Sequence, residues 1–131
     1  MKRIHVALLL AAASPAHAMT NDVLPAFRGT WVPAAAACTS PLKVTIDAQA
    51  VTFHNGTQRA EFRKLEQCFS CMGRDVQNVT LLSTDAMGDS PWTLTLDGTR
   101  KAPAVSVDMA NDRKLAARFP FVREGALKKC P

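Results

Sequence analysis

Apolar and polar residues alternate along most of the chain that follows residue 28. This period of two is typical of strands that bury one face and expose the other. It predicts strands at 28–34, 42–47, 50–54, 57–65, 76–83, 92–97, 103–109, 114–119 and 126–130. The pairs Asn55-Gly56 and Asp97-Gly98 lie between predicted strands, and such pairs are preferred in two-residue hairpins because both central positions need positive φ.

Eight or nine short strands in sequence order predict an all-β fold. We expect a small up-and-down antiparallel barrel, with a two-sheet β-sandwich as the alternative. No capped helical stripe follows residue 28, and Pro25 limits the segment 20–27 to a short turn of helix over one end of the sheet. Strands of this length rise only about 17 to 24 Å, so side chains should fill the barrel and leave no large enclosed cavity.

Residues 1–18 have the three parts of an export signal. Lys2 and Arg3 precede the apolar run 6–13, and Ala16-His17-Ala18 is a small-x-small cleavage site. The apolar run is far shorter than the roughly 20 residues of a membrane-spanning helix. We therefore expect a cleaved signal peptide and a periplasmic or secreted protein without a membrane span.

Removal of the signal changes both length and charge. It leaves residues 19–131, which are 131 less 18, or 113 residues, and this suits a single barrel domain. Lys2 and Arg3 leave with the signal, so fourteen basic residues face eleven acidic ones and the net charge falls from +5 to +3. The basic residues are scattered, with no tract longer than a pair, whereas nucleic-acid binding needs a concentrated basic surface. No nucleic-acid partner is expected.

Four cysteines, at positions 38, 68, 71 and 130, allow three disulfide pairings. Strands that alternate in direction put Cys68 and Cys71 together in a loop at one end of the barrel. The last strand is expected to lie beside the first strand, which brings Cys130 close to Cys38 in the loop after the first strand. We therefore predict the bridges Cys38–Cys130 and Cys68–Cys71, because exported cysteines usually form disulfides.

The Cys68-x-x-Cys71 motif is also the main candidate for chemistry. Such a pair can be a redox dithiol where a helix N-terminus lowers the pKa of one thiol, and together with Met72 it offers soft ligands to copper(I). Zinc would need two further ligands, and His54, the only histidine after the signal, is expected at the opposite end of the barrel. A structural disulfide is the favoured interpretation, and we expect no metal and no cofactor.

His54 also bears on catalysis. Nucleophilic hydrolysis needs a base within hydrogen-bond reach of the nucleophile, but His54 adjoins the Asn55-Gly56 turn, where we expect it to be solvated. The acidic residues cluster in predicted turns, whose chemistry already accounts for them. The sequence therefore predicts a protein that is not an enzyme.

Two segments resemble known families. The segment 27–31 (Phe-Arg-Gly-Thr-Trp) resembles the Gly-x-Trp that begins the first strand of lipocalin-like barrels, where the Trp closes one end and packs on an arginine of a late strand. That resemblance implies that Arg118 or Arg123 is the arginine on which the Trp packs. Gly-Thr-Trp-Val-Pro, Cys38 and the closing segment 127–131 also resemble small exported proteobacterial proteins of unknown function. This second resemblance implies no activity.

Two classes of function follow. The first is a non-catalytic binding or inhibitory module that engages an envelope protein through loops at the barrel rim. A net charge of +3 favours an acidic or neutral partner over a basic one. The alternative is a small-ligand binder, or an envelope thiol-redox or metal-binding protein that uses Cys68-x-x-Cys71. The candidate rim loops are 33–41, 54–57, 84–91 and 110–113, and the candidate binding tip is Met87, Gly88, Asp89 and Ser90.

Overall fold

A computed structural model describes residues 22–71, 78–84 and 89–131. The predicted signal peptide, Met72, and the tip residues Met87 and Gly88 lie outside the described residues. The strands are β1 (Gly29–Pro33), β2 (Leu42–Ile46), β3 (Val51–Asn55), β4 (Arg59–Phe62), β5 (Leu65–Cys68), β6 (Val79–Thr84), β7 (Thr93–Asp97), β8 (Ala104–Asp108) and β9 (Leu127–Lys129). One α-helix, α1 (Arg113–Arg118), and two 3₁₀ helices, Pro25–Phe27 and Pro120–Arg123, complete the described part.

All nine strands belong to one antiparallel sheet that forms a nearly closed barrel. Their order is β4-β3-β2-β1-β9-β8-β7-β6-β5, so strands that follow one another in sequence are neighbours, and β9 pairs with β1. This confirms the predicted up-and-down barrel over the sandwich. The sheet is open only between its edge strands β4 and β5.

β4 and β5 are two halves of one bent strand. Eight antiparallel steps separate them in the sheet order, so they run in the same direction, and only Arg63 and Lys64 lie between them in sequence. The first half pairs with β3 and the second half pairs with β6. The predicted strand 57–65 is thus found further along, from Arg59 to Cys68, with a bend in its middle.

Strand directions place the connections at two ends of the barrel. We call the end with segments 34–41, 56–58 and 109–126 the helix end, since α1 lies there. The other end, with the turns 47–50 and 98–103, is the Cys68 end, because β5 finishes there.

The strand predicted at 114–119 is wrong, because this segment forms α1. The Asp112 side chain caps the helix by accepting a hydrogen bond from Leu115 N at 2.9 Å. Leu115 and Phe119 are both buried, and a spacing of four suits a helix as well as it suits alternation. β8 pairs directly with β9, so the sheet has no place for a strand between them.

Aromatic side chains fill the interior. The Phe53 ring lies 5.7 Å from Trp92, 5.8 Å from Phe119 and 6.0 Å from Phe62, measured between ring centroids. Phe53 and Phe119 are 0% exposed and Trp92 is 1% exposed. Side chains therefore occupy the space where a lipocalin-like barrel would hold a ligand.

Both predicted disulfides are present. The Cα atoms of Cys38 and Cys130 are 5.7 Å apart, and those of Cys68 and Cys71 are 5.6 Å apart. Cys130 also donates its backbone N–H to Thr30 O at 2.8 Å, which extends the pairing of β9 with β1. The longer bridge thus fastens the 34–41 loop to the junction of the first and last strands.

Candidate anion-binding face

Charge divides the strands of the barrel into two walls. β5, β6, β7 and β8 carry three charged residues, all acidic: Glu66, Asp97 and Asp108. The remaining strands carry four lysines and arginines, one histidine and one acid, and these residues are Lys43, His54, Arg59, Glu61, Lys128 and Lys129. One wall is therefore acidic and the other is mainly basic.

Strand register lines up three of these side chains. Lys43 lies opposite His54, and His54 lies opposite Arg59. Directly paired residues project from the same face of a sheet, with Cβ atoms about 4.5–5.5 Å apart. The preceding or following residue on each strand contributes to the core, so these three side chains point outwards. We call Lys43, His54 and Arg59 the basic row.

The basic row forms one side of a surface cleft at the helix end. The cleft has a volume of about 360 Å³. Its other wall is Pro41 and the turn after β3, in which Gly56 has a φ of +93°. A Cβ at Gly56 would lie 3.3 Å from Pro41 Cβ, so glycine permits both the turn and its close approach to Pro41. The lining residues are Pro41, Lys43, His54, Gly56, Thr57, Gln58 and Arg59.

His54 is half-buried at the centre of the row. Its Nε2 lies 3.4 Å from Thr45 Oγ1. Partial burial lowers the pKa of His54, and the positive charges of Lys43 and Arg59 lower it further. The lowered pKa favours the neutral imidazole, which keeps one N–H donor.

Arginines extend the positive charge on both sides of the row. Glu61 forms ion pairs with both Arg59 and Arg63, so one carboxylate serves two guanidinium groups. Arg118 of α1 donates from Nε to Gln58 Oε1 at 2.8 Å and from a terminal nitrogen to Arg59 O at 3.2 Å. We call the basic row together with Arg63 and Arg118 the basic face. It has four formal positive charges, and among residues 22–71, 78–84 and 89–131 Glu61 alone forms ion pairs with them.

Lys43 and Arg118 are the two cations of the face that form no ion pair in the described part of the chain, and Arg118 instead donates to Gln58 and Arg59. Among residues 22–71, 78–84 and 89–131, no carboxylate lies within 4 Å of the Lys43 ammonium group. An uncompensated lysine beside a cleft attracts an anion from solution or from a partner.

Comparison with known proteins gives no match. No protein-family model, curated protein or solved structure matches this chain. The function therefore has to be inferred from the geometry of the basic face and its surroundings.

The predicted binding tip has a different character from the basic face. Asp89 is exposed, but Ser90 is 0% exposed. The Ser90 hydroxyl accepts from Thr84 N at 3.1 Å and donates to Trp92 O, so it holds the start of β7 in place. Ser90 thus supports the loop from inside and is not positioned to contact a partner.

The Cys68–Cys71 bridge lies at the Cys68 end, while His54 lies near the helix end, as predicted from strand alternation. Phe69, within this bridge, is 59% exposed. In the described part of the chain, no three His, Cys, Asp or Glu side chains gather as metal ligands, and no helix is long and apolar enough to cross a membrane.

Trp31 has a different neighbour from the one that the lipocalin resemblance implies. Its ring stacks on Phe27 with a centroid distance of 6.5 Å, and its Nε1 donates to Phe27 O at 2.8 Å. Arg118 belongs to α1 and lies over the Phe119 ring, and Arg123 is exposed in the second 3₁₀ helix. Neither arginine is on a late strand.

Sequence reasoning missed the basic face because its members are far apart in the chain. His54 was expected to be only a solvated neighbour of a turn, and the lysines and arginines looked scattered. Counting outwards from the two turns of the β2–β3–β4 meander would have placed Lys43, His54 and Arg59 in one row.

Proposed function

We propose that the protein is an exported, non-catalytic binding module that engages an acidic protein partner through the basic face. The single observation that carries this proposal is the cross-strand row of Lys43, His54 and Arg59 beside a surface cleft. The row presents positive charge and hydrogen-bond donors on a rigid sheet, which is a suitable platform for acidic side chains.

The filled interior supports an external binding surface. Trp31, Phe53, Trp92 and Phe119 are each at most 1% exposed and occupy the inside of the barrel. A small apolar ligand would have to displace them, and removing one such aromatic side chain from a core costs about 3–5 kcal/mol. A container for small ligands is therefore the weaker alternative.

Only some of the rim loops that were predicted to contact a partner belong to the candidate surface. Pro41, His54, Gly56 and Thr57 line the cleft, whereas Ser90 is buried. The candidate surface is therefore the part of the helix end next to β2, β3 and β4.

Electrostatic complementarity supports the choice of an acidic partner. Opposite charges on two proteins steer their encounter and raise the association rate, and like charges suppress wrong partners. Because the acidic and basic walls are separate, such an encounter favours the orientation in which the basic face meets the acidic partner.

Capture of a partner from envelope extract, with charge-reversed variants, tests this function. Immobilised residues 19–131 should retain a protein that the double variant Lys43→Glu/Arg63→Glu no longer retains. The matched control is Arg100→Glu/Lys101→Glu, which makes the same charge change in the 98–103 turn at the Cys68 end. Retention that is equal for both double variants would refute the basic face as the binding surface. Thermal melting of all three proteins checks that each is folded.

A further inference from the structure

We infer that the cleft beside the basic row is a site for one carboxylate group, donated by an aspartate or glutamate of the partner and held between Lys43 and Arg59 above His54. This inference rests on the proposed function and deepens it, because it assigns the chemical group that the site recognises and the way in which pH controls it.

The spacing of the row suits a single carboxylate. Adjacent strands lie about 4.8 Å apart, so the backbones of β2 and β4 are about 10 Å apart with β3 between them. Lys43 and Arg59 flank His54 on the two neighbouring strands, and both side chains are long enough to reach over the shorter imidazole. A carboxylate placed there has two oxygens that accept hydrogen bonds, one from the ammonium and one from the guanidinium group.

The cleft is large enough to admit one acidic side chain. Its volume of about 360 Å³ is at the small end of ligand pockets, which span about 300–1,000 Å³. Gly56 and Pro41 line the cleft together with the row, so a side chain that enters from solvent meets the donors along one wall.

The existing ion pairs leave capacity for the incoming group. Arg59 already binds Glu61, which shows that its guanidinium is placed for a carboxylate, and Glu61 is shared with Arg63. A guanidinium has five N–H donors, so Arg59 can bind a second carboxylate while it keeps the first. Lys43 lines the cleft, has no carboxylate within 4 Å among the described residues, and so supplies a positive charge without an ion pair there.

The position of His54 links binding to protonation. The groups that face His54 are Lys43 and Thr45 of β2, Arg59 of β4 and the neutral Gln58 of the turn, and Arg118 of α1 reaches that turn. Among the described residues, Glu61 is the acid that pairs with cations of the basic face; it lies one row further along the sheet and is bound to two arginines. In the part of the chain that the structure describes, His54 thus has positive neighbours and no ion pair with a carboxylate, and its pKa is lowered.

A bound carboxylate adds a negative charge to the positively charged surroundings of His54. Negative charge within about 4–6 Å favours the protonated imidazole and raises its pKa. The bound state therefore takes up a proton between the lower pKa of the free protein and the higher pKa of the complex. By linkage, affinity increases as the pH falls through this range, by at most about tenfold for each pH unit for one proton. Aspartate and glutamate stay ionised above about pH 5.

Titration with a hexaglutamate peptide, followed by NMR, tests the inference on residues 19–131. The peptide should shift the imidazole signals of His54, raise its pKa and bind about three- to tenfold more tightly at pH 5.5 than at pH 7.5. Lys43→Gln should weaken binding at least about fivefold at both pH values. His54→Gln should bind with little change at pH 7.5 and should lose the increase at pH 5.5. Lys101→Gln, which removes a lysine at the Cys68 end, is the matched control and should behave as the unmodified protein.

Two other probes identify the group that is bound. Hexaglutamine should not shift His54, and inorganic phosphate should shift it less than hexaglutamate does. An unchanged His54 pKa with hexaglutamate, equal affinity at the two pH values, or an equal response to phosphate alone would each overturn the inference.

The outcome is separable from that of the proposed function. If the captured partner depends on Lys43 and Arg63 but His54→Gln retains the full pH dependence, the carboxylate site is refuted and the binding face stands. If hexaglutamate binds with the expected proton linkage but charge reversal does not affect partner capture, the proposed function is refuted.

Discussion

The side-chain amide of Asn55 donates a hydrogen bond to the backbone oxygen of Arg118 at 2.6 Å, across 63 residues of sequence. Its carbonyl oxygen accepts from Gln58 N at 2.8 Å in the same turn. Arg118 in turn binds Gln58 and the backbone of Arg59. One side chain therefore organises the β3–β4 turn and attaches the end of α1 to the cleft that carries the basic row.

Asn55→Ala should lower the free energy of unfolding by about 1–2 kcal/mol, because the turn and the helix each lose a hydrogen bond. Chemical denaturation measures this change. The control is Thr57→Ala in the same turn, where only a marginal hydroxyl contact of 3.5 Å is lost. Equal stability of Asn55→Ala and Thr57→Ala would contradict the role given to Asn55.

The two disulfides should differ in what they contribute to stability. In the chain-entropy view, a bridge that closes 92 residues stabilises by about 4–5 kcal/mol, and a bridge that closes three residues by about 2 kcal/mol. The double variant Cys38→Ser/Cys130→Ser should therefore lower the unfolding midpoint more than Cys68→Ser/Cys71→Ser. The reverse order in denaturant titrations would show that the clasp between the first and last strands is not the main covalent restraint.

Free-thiol titration separates a structural bridge from a redox pair at Cys68 and Cys71. The native protein should react with no more than a trace of thiol reagent, because all four cysteines are bonded. Full reaction is expected only after denaturation with a reductant. Two thiols that react readily in the native protein, and that Cys68→Ala abolishes, would instead favour the redox alternative.

Two buried tryptophans provide a matched test of hydrogen bonding in the core. Trp31 and Trp92 are 0% and 1% exposed, but only the Trp31 indole has a partner, Phe27 O, while Trp92 Nε1 has none in the described part of the chain. Both Trp→Phe changes remove similar volume. Trp31→Phe should cost about 1–2 kcal/mol more than Trp92→Phe, since it leaves a buried carbonyl without its donor. Equal losses in thermal melts would argue against this hydrogen bond.

The alternation of apolar and polar residues was sufficient to predict the barrel, because a strand with one buried face has an apolar residue at every second position. It failed at 114–119, where Leu115 and Phe119 fit both a strand and a helix, and where Asp112 acts as a helix cap instead of a turn residue. It also could not show that Arg59 to Cys68 changes partner at its bend. Such a bend depends on the closure of the whole sheet and not on local pattern.

The candidate site was harder to predict than the fold. A one-residue slip in register would turn His54 inwards and Phe53 outwards, so the basic row exists only once the pairing of β2, β3 and β4 is known. The position of Arg118 could not be predicted either, because it depends on segment 113–118 forming a helix. The cysteine pairing was predictable because it needed only strand direction.

The pH dependence of stability should report the environment of His54 in the free protein. Its pKa is lowered in the folded state, first by burial and then by Lys43 and Arg59, so the unfolded chain binds the proton more readily. The resulting contribution is complete above the unfolded pKa of about 6.5 and is lost as the pH falls through the lower folded value. Between pH 7.5 and pH 5, the unmodified protein should therefore lose more stability than His54→Gln, in which this position does not titrate. Lys43→Gln should reduce the loss without removing it, because burial, the largest cause, remains. NMR titration of the imidazole and parallel denaturant curves measure both effects, and identical pH profiles for the unmodified protein and His54→Gln would refute the assignment.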